Sequence, residues 1–244
     1  MRLIIVIFLL LVTVKGYSQQ NLFNIPSGDI IEKNKVFYQH QFNIFQPMFE
    51  SKGHFVYGLG KGWDIGVNLV GKGIGFNPYL EFITNDNPSL GALSPHLMPS
   101  IQKQFQLSES FDVNFGTQSG INLADQWDEK EFAFFNYGIG IYHFMNKKSR
   151  LIGGVYHTNR NFVGEGSHVG FLVGYELKIA PRTYLMGDWI SGNNESSAAV
   201  IGAMYNVTKR FQFCAGVLLP NQRNNKPSGL VIELNFFGWD LSMK

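Results

Sequence analysis

The stretch FFNYGIGIYHF, residues Phe134–Phe144, raises the question on which the fold turns. At period two, Phe135, Tyr137, Ile139 and Ile141 share one face of a strand, and Asn136, Gly138, Gly140 and Tyr142 share the other. A soluble sheet would set Lys, Glu and Thr opposite its apolar face. Two glycines and an asparagine stand there instead, although they are weak strand formers. A transmembrane barrel supplies a reason: apolar side chains meet lipid while small and polar ones line a lumen. On this reading the greasy face is the outside and the glycines point inward.

The same dyad recurs from Val36 to the end of the chain. VFYQHQFNIF separates Tyr38, Phe42 and Ile44 from Gln39, Gln41 and Asn43. WDIGVNL sets Trp63, Ile65, Val67 and Leu69 against Asp64, Gly66 and Asn68. FDVNFGTQSGI puts Asp112, Asn114, Gly116 and Gln118 on its polar face, and HVGFLVGYEL puts Gly170, Gly174 and Glu176 there. FQFCAGVLL and GLVIELNFF continue the series with Gln212 and Gly216, then Glu233 and Asn235. One such alternation is compatible with a soluble sandwich, but a long series with Gly, Asn, Gln and Asp on the polar face fits a barrel.

Connections alternate in length. Short breaks fall at GKG (60–62), QLSES (106–110), MNKKS (145–149), KIAPR (178–182) and TKR (208–210). Between them lie longer stretches such as NLADQWDEKE (122–131), NRNFVGEGS (159–167), SGNNESS (191–197) and PNQRNNKPSG (220–229). Short periplasmic turns and longer external loops alternate in this way in outer-membrane barrels. Reading FNPYLEFIT (76–84) as an excursion from the WDIGVNL strand gives an all-β, closed antiparallel, up-and-down barrel of about twelve strands.

Composition agrees. Charged residues are 16% of the 244, against ~25% in a typical soluble protein. Arg2 followed by LIIVIFLLLV (3–12) and a small-residue stretch reads as a signal peptide of residues 1–18. That run is short of the ~20 apolar residues of a transmembrane helix. The expected organisation is then a periplasmic segment over 19–35, the barrel over 36–239 and a tail over 240–244. Loss of 1–18 removes Arg2 and Lys15 and leaves 18 basic residues against 18 acidic ones. Such neutrality argues against nucleic-acid binding. The expected location is the outer membrane of a Gram-negative bacterium, with outer-membrane lipid and the barrel-assembly machinery as partners.

Within the barrel, parity assigns Asp64, Asn68, Asp112, Asn114, Gln118, Asn136, Glu176, Asp188, Glu233 and Asn235 to the lumen, with Lys178 as the clearest inward base. Trp63, Phe105, Phe111 and Phe211 beside short turns, and Trp189 near a longer loop, read as interface girdles. Inward carboxylates would favour cations. Their pairing with inward bases hidden by bulges remains the alternative. The apolar residues Phe23, Ile25, Ile30 and Ile31 exceed what a free tail needs, so residues 20–35 are expected to tuck into the periplasmic mouth.

NIPSGDIIEKNKVFYQHQFNIF followed by FVYGLGKGWDIGVNL, within Asn24–Leu69, resembles the opening of an uncharacterised family of bacterial outer-membrane β-barrels. These are similar to transporter-like barrels of the phenol-degradation meta-pathway group. The resemblance implies outer-membrane placement and solute passage, and it carries no catalytic residues. Many such barrels end on an aromatic residue, whereas this chain continues past Trp239 as DLSMK.

Enzyme chemistry finds little support. YHTNRN (156–161) loosely resembles the His-x-Ser-Asn element of a lipid A deacylase, but Asn159 stands where the Ser is needed, and a strand would turn His157 and Thr158 to opposite faces. His40, His54, His96 and His168 lack metal-ligand spacing, GLGKG (58–62) joins two strands rather than opening a helix, and Cys214 has inward parity as a small wall residue. No enzyme, cofactor or metal is expected. The leading expectation is a narrow channel or transporter for small solutes. A membrane-anchored structural or surface-interaction barrel with a closed lumen is the alternative, and a lipid hydrolase a third.

Overall fold

The computed structural model describes residues 21–45, 49–70, 74–76, 80–82, 95–123, 128, 130–222 and 227–240. The expected signal peptide, residues 1–18, lies outside these. The strands are β1 (Lys35–Ile44), β2 (Phe49–Gly60), β3 (Trp63–Val70), β4 (Ile74–Phe76), β5 (Leu80–Phe82), β6 (His96–Gln106) and β7 (Phe111–Asn122). They continue as β8 (Phe132–Phe144), β9 (Ser149–Thr158), β10 (Val169–Ala180), β11 (Thr183–Ile190), β12 (Ala198–Asn206), β13 (Phe211–Pro220) and β14 (Gly229–Asp240). A single turn of helix, α1 (Arg160–Val163), follows β9.

Each strand of the ring pairs antiparallel with its neighbour, and β14 returns to β1 with Lys35 opposite Asp240. Since β1 also pairs with β2, the sheet closes on itself as a twelve-strand barrel. The short β4–β5 hairpin hangs from the end of β2, where Phe49 faces Ile74, and stands outside the ring. It is the described part of the excursion expected around residues 76–84. The ring begins one residue before and ends one residue after the expected limits of 36 and 239.

Alternation divides the wall into two surfaces. Trp63, Ile65, Val67 and Leu69 are exposed on the outside of β3, while Asp64, Asn68 and Val70 are buried inside. The same outward exposure repeats at Phe55, Ile101, Phe115, Val155, Phe171, Ile201 and Val217. An apolar band running around a closed barrel far exceeds the patches that soluble monomers leave exposed.

One strand reverses the expected sense. In β8 it is Phe135, Ile139 and Ile141 that are buried, and the Tyr137 hydroxyl donates to Gln102 Oε1 inside the barrel at 2.7 Å. Asn136, Gly138, Gly140 and Tyr142 therefore face outward, and Asn136 is not a lumen residue: its Oδ1 accepts from Thr117 Oγ1 at 2.6 Å on the outer face. The outward glycines lie beneath aromatic rings of β7. A Cβ at Gly138 would meet Phe115 Cδ1 at 3.1 Å, and one at Gly140 would meet Phe111 Cζ at 3.0 Å. Cross-strand rings thus cover the glycines and restore the apolar outer surface that they lack.

A closed ring has no free strand edge to start unfolding. The folded protein should therefore resist SDS until boiled and then change its gel mobility. Equal mobility before and after boiling would contradict this.

Candidate functional site

The lumen is occupied by the chain's own N-terminal segment. Residues 21–34 run from the short-turn rim up the inside of the barrel, well past the mouth where the sequence suggested they would stop. At the lower end the Asn34 amide donates to Gly58 O at 2.9 Å, and the Ile31 amide donates to Asp64 Oδ2 at 3.2 Å. Higher up, Gln102 Nε2 donates to Asp29 O at 2.9 Å and Asn114 Nδ2 to Gly28 O at 3.1 Å. Asp29 also pairs with Arg150, whose other terminal nitrogen binds Glu176 Oε2 at 2.7 Å.

The tip is a tight turn in which Asn21 bridges to Pro26. Three successive amides, of Phe23, Asn24 and Ile25, converge on Asp188 Oδ2, those of Phe23 and Ile25 at 3.0 Å. Successive N–H groups of this kind form a concave nest for an anion. Asp188 lies two residues before the upper end of β11, so the segment reaches the upper half of the lumen.

Inward glycines make this close fit possible, which is where the glycine-rich inner face finds its use. A Cβ at Gly58 would lie 2.1 Å from Glu32 O, so the plug backbone rests directly on the wall there. At Gly174 a Cβ would meet Leu22 Cδ1 at 2.5 Å, and at Gly216 it would meet Phe23 Cζ at 3.0 Å.

The wall itself is two-sided. Strands β8–β13 present Ile139, Ile152, Leu172, Met186, Val200 and Met204, and the fully buried Leu22, Phe23 and Ile25 of the plug pack into them. The rest of the wall is richer in polar groups, with Gln39, Asn43, Asp64, Asn114, Glu233 and Asn235 all buried among a few apolar side chains such as Val56 and Met98. This division explains the reversal of β8. Ile139 and Ile141 belong to this apolar cluster and close on the plug at Gly28, where a Cβ would meet Ile141 Cδ1 at 2.2 Å. Burying each such plug side chain contributes about 1.5–3 kcal/mol, so the tip, with three of them, is the firmer anchor, and the lower half, where Ile31 alone packs against Phe37, Val56 and Phe237, is the looser one.

Above the plug, against the polar wall, a cavity of about 120 Å³ remains. It is lined by Asn24 of the plug and, along successive wall strands, by Gln41, Asn43, Glu50, Lys52, His54, Asn68, Gln102 and Gln118. Phe162 of α1 reaches over it from the long-loop end, its ring 6.2 Å from that of His96.

Of the residues assigned to the lumen by parity, Asp64, Asp188 and Glu176 hold the plug directly or through Arg150, as does Asn114. Asn68 donates to Gln118 at the cavity, at 2.6 Å. Asp112 contacts His143 Nε2 at 2.8 Å and accepts from Gln104. Glu233 accepts from Asn235 at 2.8 Å. Lys178 sits with its Nζ 5.3 Å from the ring centre of Tyr184. Two inward bases stand outside the parity assignment: Arg150, the second residue of β9, and Lys52 of β2, which borders the cavity. The acids are thus drawn largely into pairs, amides and the plug.

Among the aromatic candidates, Trp63, Phe105, Phe111 and Trp189 are exposed on the outer surface, and Phe211 stacks on Phe236 at 5.0 Å. Trp189 Nε1 donates to Asn221 Oδ1 at 3.0 Å near the long-loop end. Cys214 is buried in the inner wall. His157 and Thr158 diverge: Thr158 Oγ1 donates to Phe134 O at 2.6 Å while the His157 ring lies outside against Phe134.

The sequence matches no family model and no curated protein. Solved structures similar in shape include an outer membrane channel from Pseudomonas putida F1, at 10% identity and a TM-score of 0.47, covering 91% of this chain and all of that one. A Pseudomonas aeruginosa FadL homologue follows at 8% identity and a TM-score of 0.38, over 84% of this chain and 89% of that chain. The outer membrane channel DcaP of Acinetobacter baumannii gives 9% and 0.33, over 84% and 95%. At such identities no lumen residue is carried from one protein to another.

Proposed function

We propose that this protein is a narrow outer-membrane channel or transporter for small solutes, seated in the outer membrane of a Gram-negative bacterium with its apolar band in lipid. The observation that carries the reading is the composition of the lumen. A barrel built only as an anchor has no need of a wall bearing Gln41, Asn43, Asp64, Asn68 and Asn114, nor of a cavity beside its plug. A polar wall narrowed by a separate chain segment is what selective passage uses. The short-turn rim is the periplasmic one, where the barrel-assembly machinery would act, and residues 21–34 form the constriction rather than the wall.

Planar-bilayer recording tests this. The full-length barrel should show small conductance steps, and removal of the plug should enlarge them. Silence in both forms of a correctly folded barrel would favour the closed structural anchor instead.

A further inference from the structure

We propose that the cavity above the plug is a recognition site for a small, uncharged, hydroxyl-rich solute of about monosaccharide size. The proposal rests on the channel reading above and adds what the channel selects. Amides are the largest group among the polar side chains of the lining: Asn24, Gln41, Asn43, Asn68, Gln102 and Gln118 all border the cavity. An amide both donates and accepts, so a set of them answers hydroxyl groups of either polarity.

These amides are held in place by one another. Gln41 Nε2 donates to Asn24 Oδ1 at 3.1 Å and to Asn43 Oδ1 at 2.8 Å, and Asn43 Nδ2 donates in turn to Glu50 Oε2 at 3.0 Å. Farther along the wall Asn68 donates to Gln118 Oε1, which leaves the Gln118 amide nitrogen without a partner among the described residues. The charges at the site are of both signs. Glu50 is engaged by Asn43, and Lys52 Nζ reaches Asn24 Oδ1 at 3.5 Å. With Glu195 the acids of the lining outnumber Lys52 by one, which turns anions away, and Glu50, Glu195 and Lys52 each already interact within the protein, so the amides are the groups left for a solute. Phe135, Tyr137 and Phe162 supply the ring faces on which the C–H side of a sugar ring can rest. Asn24 belongs to the plug, so the plug completes the site as well as narrowing the lumen.

The test is calorimetric titration of the full-length barrel, in a detergent without a sugar headgroup, with D-glucose, L-alanine and sodium acetate. Glucose should bind in preference to the other two. Gln118→Ala should weaken it by roughly three- to tenfold, the loss expected for a hydrogen bond. Ser100→Ala, a smaller change on the same lining, should weaken it less and serves if Gln118→Ala fails to fold, as judged by heat-dependent gel mobility. Deleting residues 20–32 should weaken binding while raising conductance. Glucose binding unchanged by these substitutions would overturn the assignment, as would preferential binding of alanine or acetate. No glucose binding by a barrel that still conducts once the plug is removed would refute the site and leave the channel standing.

Discussion

Deleting residues 20–32 is expected to raise the conductance of the barrel severalfold and to make it prefer cations. The deletion removes Leu22, Phe23, Ile25 and Ile31, all buried inside the lumen, together with the groups that cover Asp64, Asp188 and Arg150. What remains is a twelve-strand ring, between the eight-strand barrels that fill with side chains and the sixteen-strand barrels that leave a water channel. Its inner wall then carries Glu50, Asp64, Asp112, Glu176, Asp188 and Glu233 against Lys52, Arg150 and Lys178, with Glu176 still paired to Arg150. The surplus of acids in a low-dielectric wall attracts cations, and the preference should fade at high salt as screening shortens. A deletion variant that folds and conducts no better than the full chain would show that the plug is not the constriction. An anion preference would show that the wall charges are misassigned.

Arg150→Met should have the next largest effect. Arg150 lies between Asp29 of the plug and Glu176 of the wall, with its side chain only 8% exposed. Removing one member of a buried ion pair costs about 3–5 kcal/mol, because the remaining charges are left uncompensated. Two carboxylates would then face each other, and the movable one belongs to the plug. The lower half of the plug should leave the wall. The tip should stay, since the burial of Leu22, Phe23 and Ile25 contributes roughly 5–9 kcal/mol. Conductance should thus rise to a level between the full chain and the deletion. Adding Asp29→Asn and Glu176→Gln to Arg150→Met removes the repulsion and should bring conductance back down. An Arg150→Met trace indistinguishable from the wild type would mean that the pair does not hold the plug.

The barrel was legible in the sequence because a dyad repeat and alternating loop lengths are properties of backbone geometry. A period of two separates two faces but does not say which one is inside. For β3 and β7 the polar side chains settled the sense. For β8 both faces were ambiguous, one being apolar and the other mostly glycine, and the answer depended on the N-terminal segment, over a hundred residues away, whose Gly28 lies against Ile139 and Ile141. Arg150 escaped notice for a related reason: its inward companions Ile152 and Tyr156 look like lipid-facing residues until the plug is in place. The excess apolar content of residues 20–35 did indicate burial in the barrel. How far up they reach could not be read, because it is set by the nest of amides on Asp188, and a backbone nest has no side-chain signature.

The chain carries its own probe of whether the plug fills the lumen. Cys214 is its single cysteine, buried on the inner face of β13 in the same apolar cluster as Leu22 and Phe23, and the Phe23 ring lies against Gly216 two residues along that strand. The decisive measurement is the rate at which a small water-soluble maleimide modifies Cys214 in the folded, detergent-solubilised barrel. Cys214 should be protected in the full chain and in Arg150→Met, where the tip remains seated. After deletion of residues 20–32 it should react readily, with heat-dependent gel mobility showing that the barrel is still folded. Equal rates in the full chain and the deletion would contradict the claim that the N-terminal segment closes the lumen.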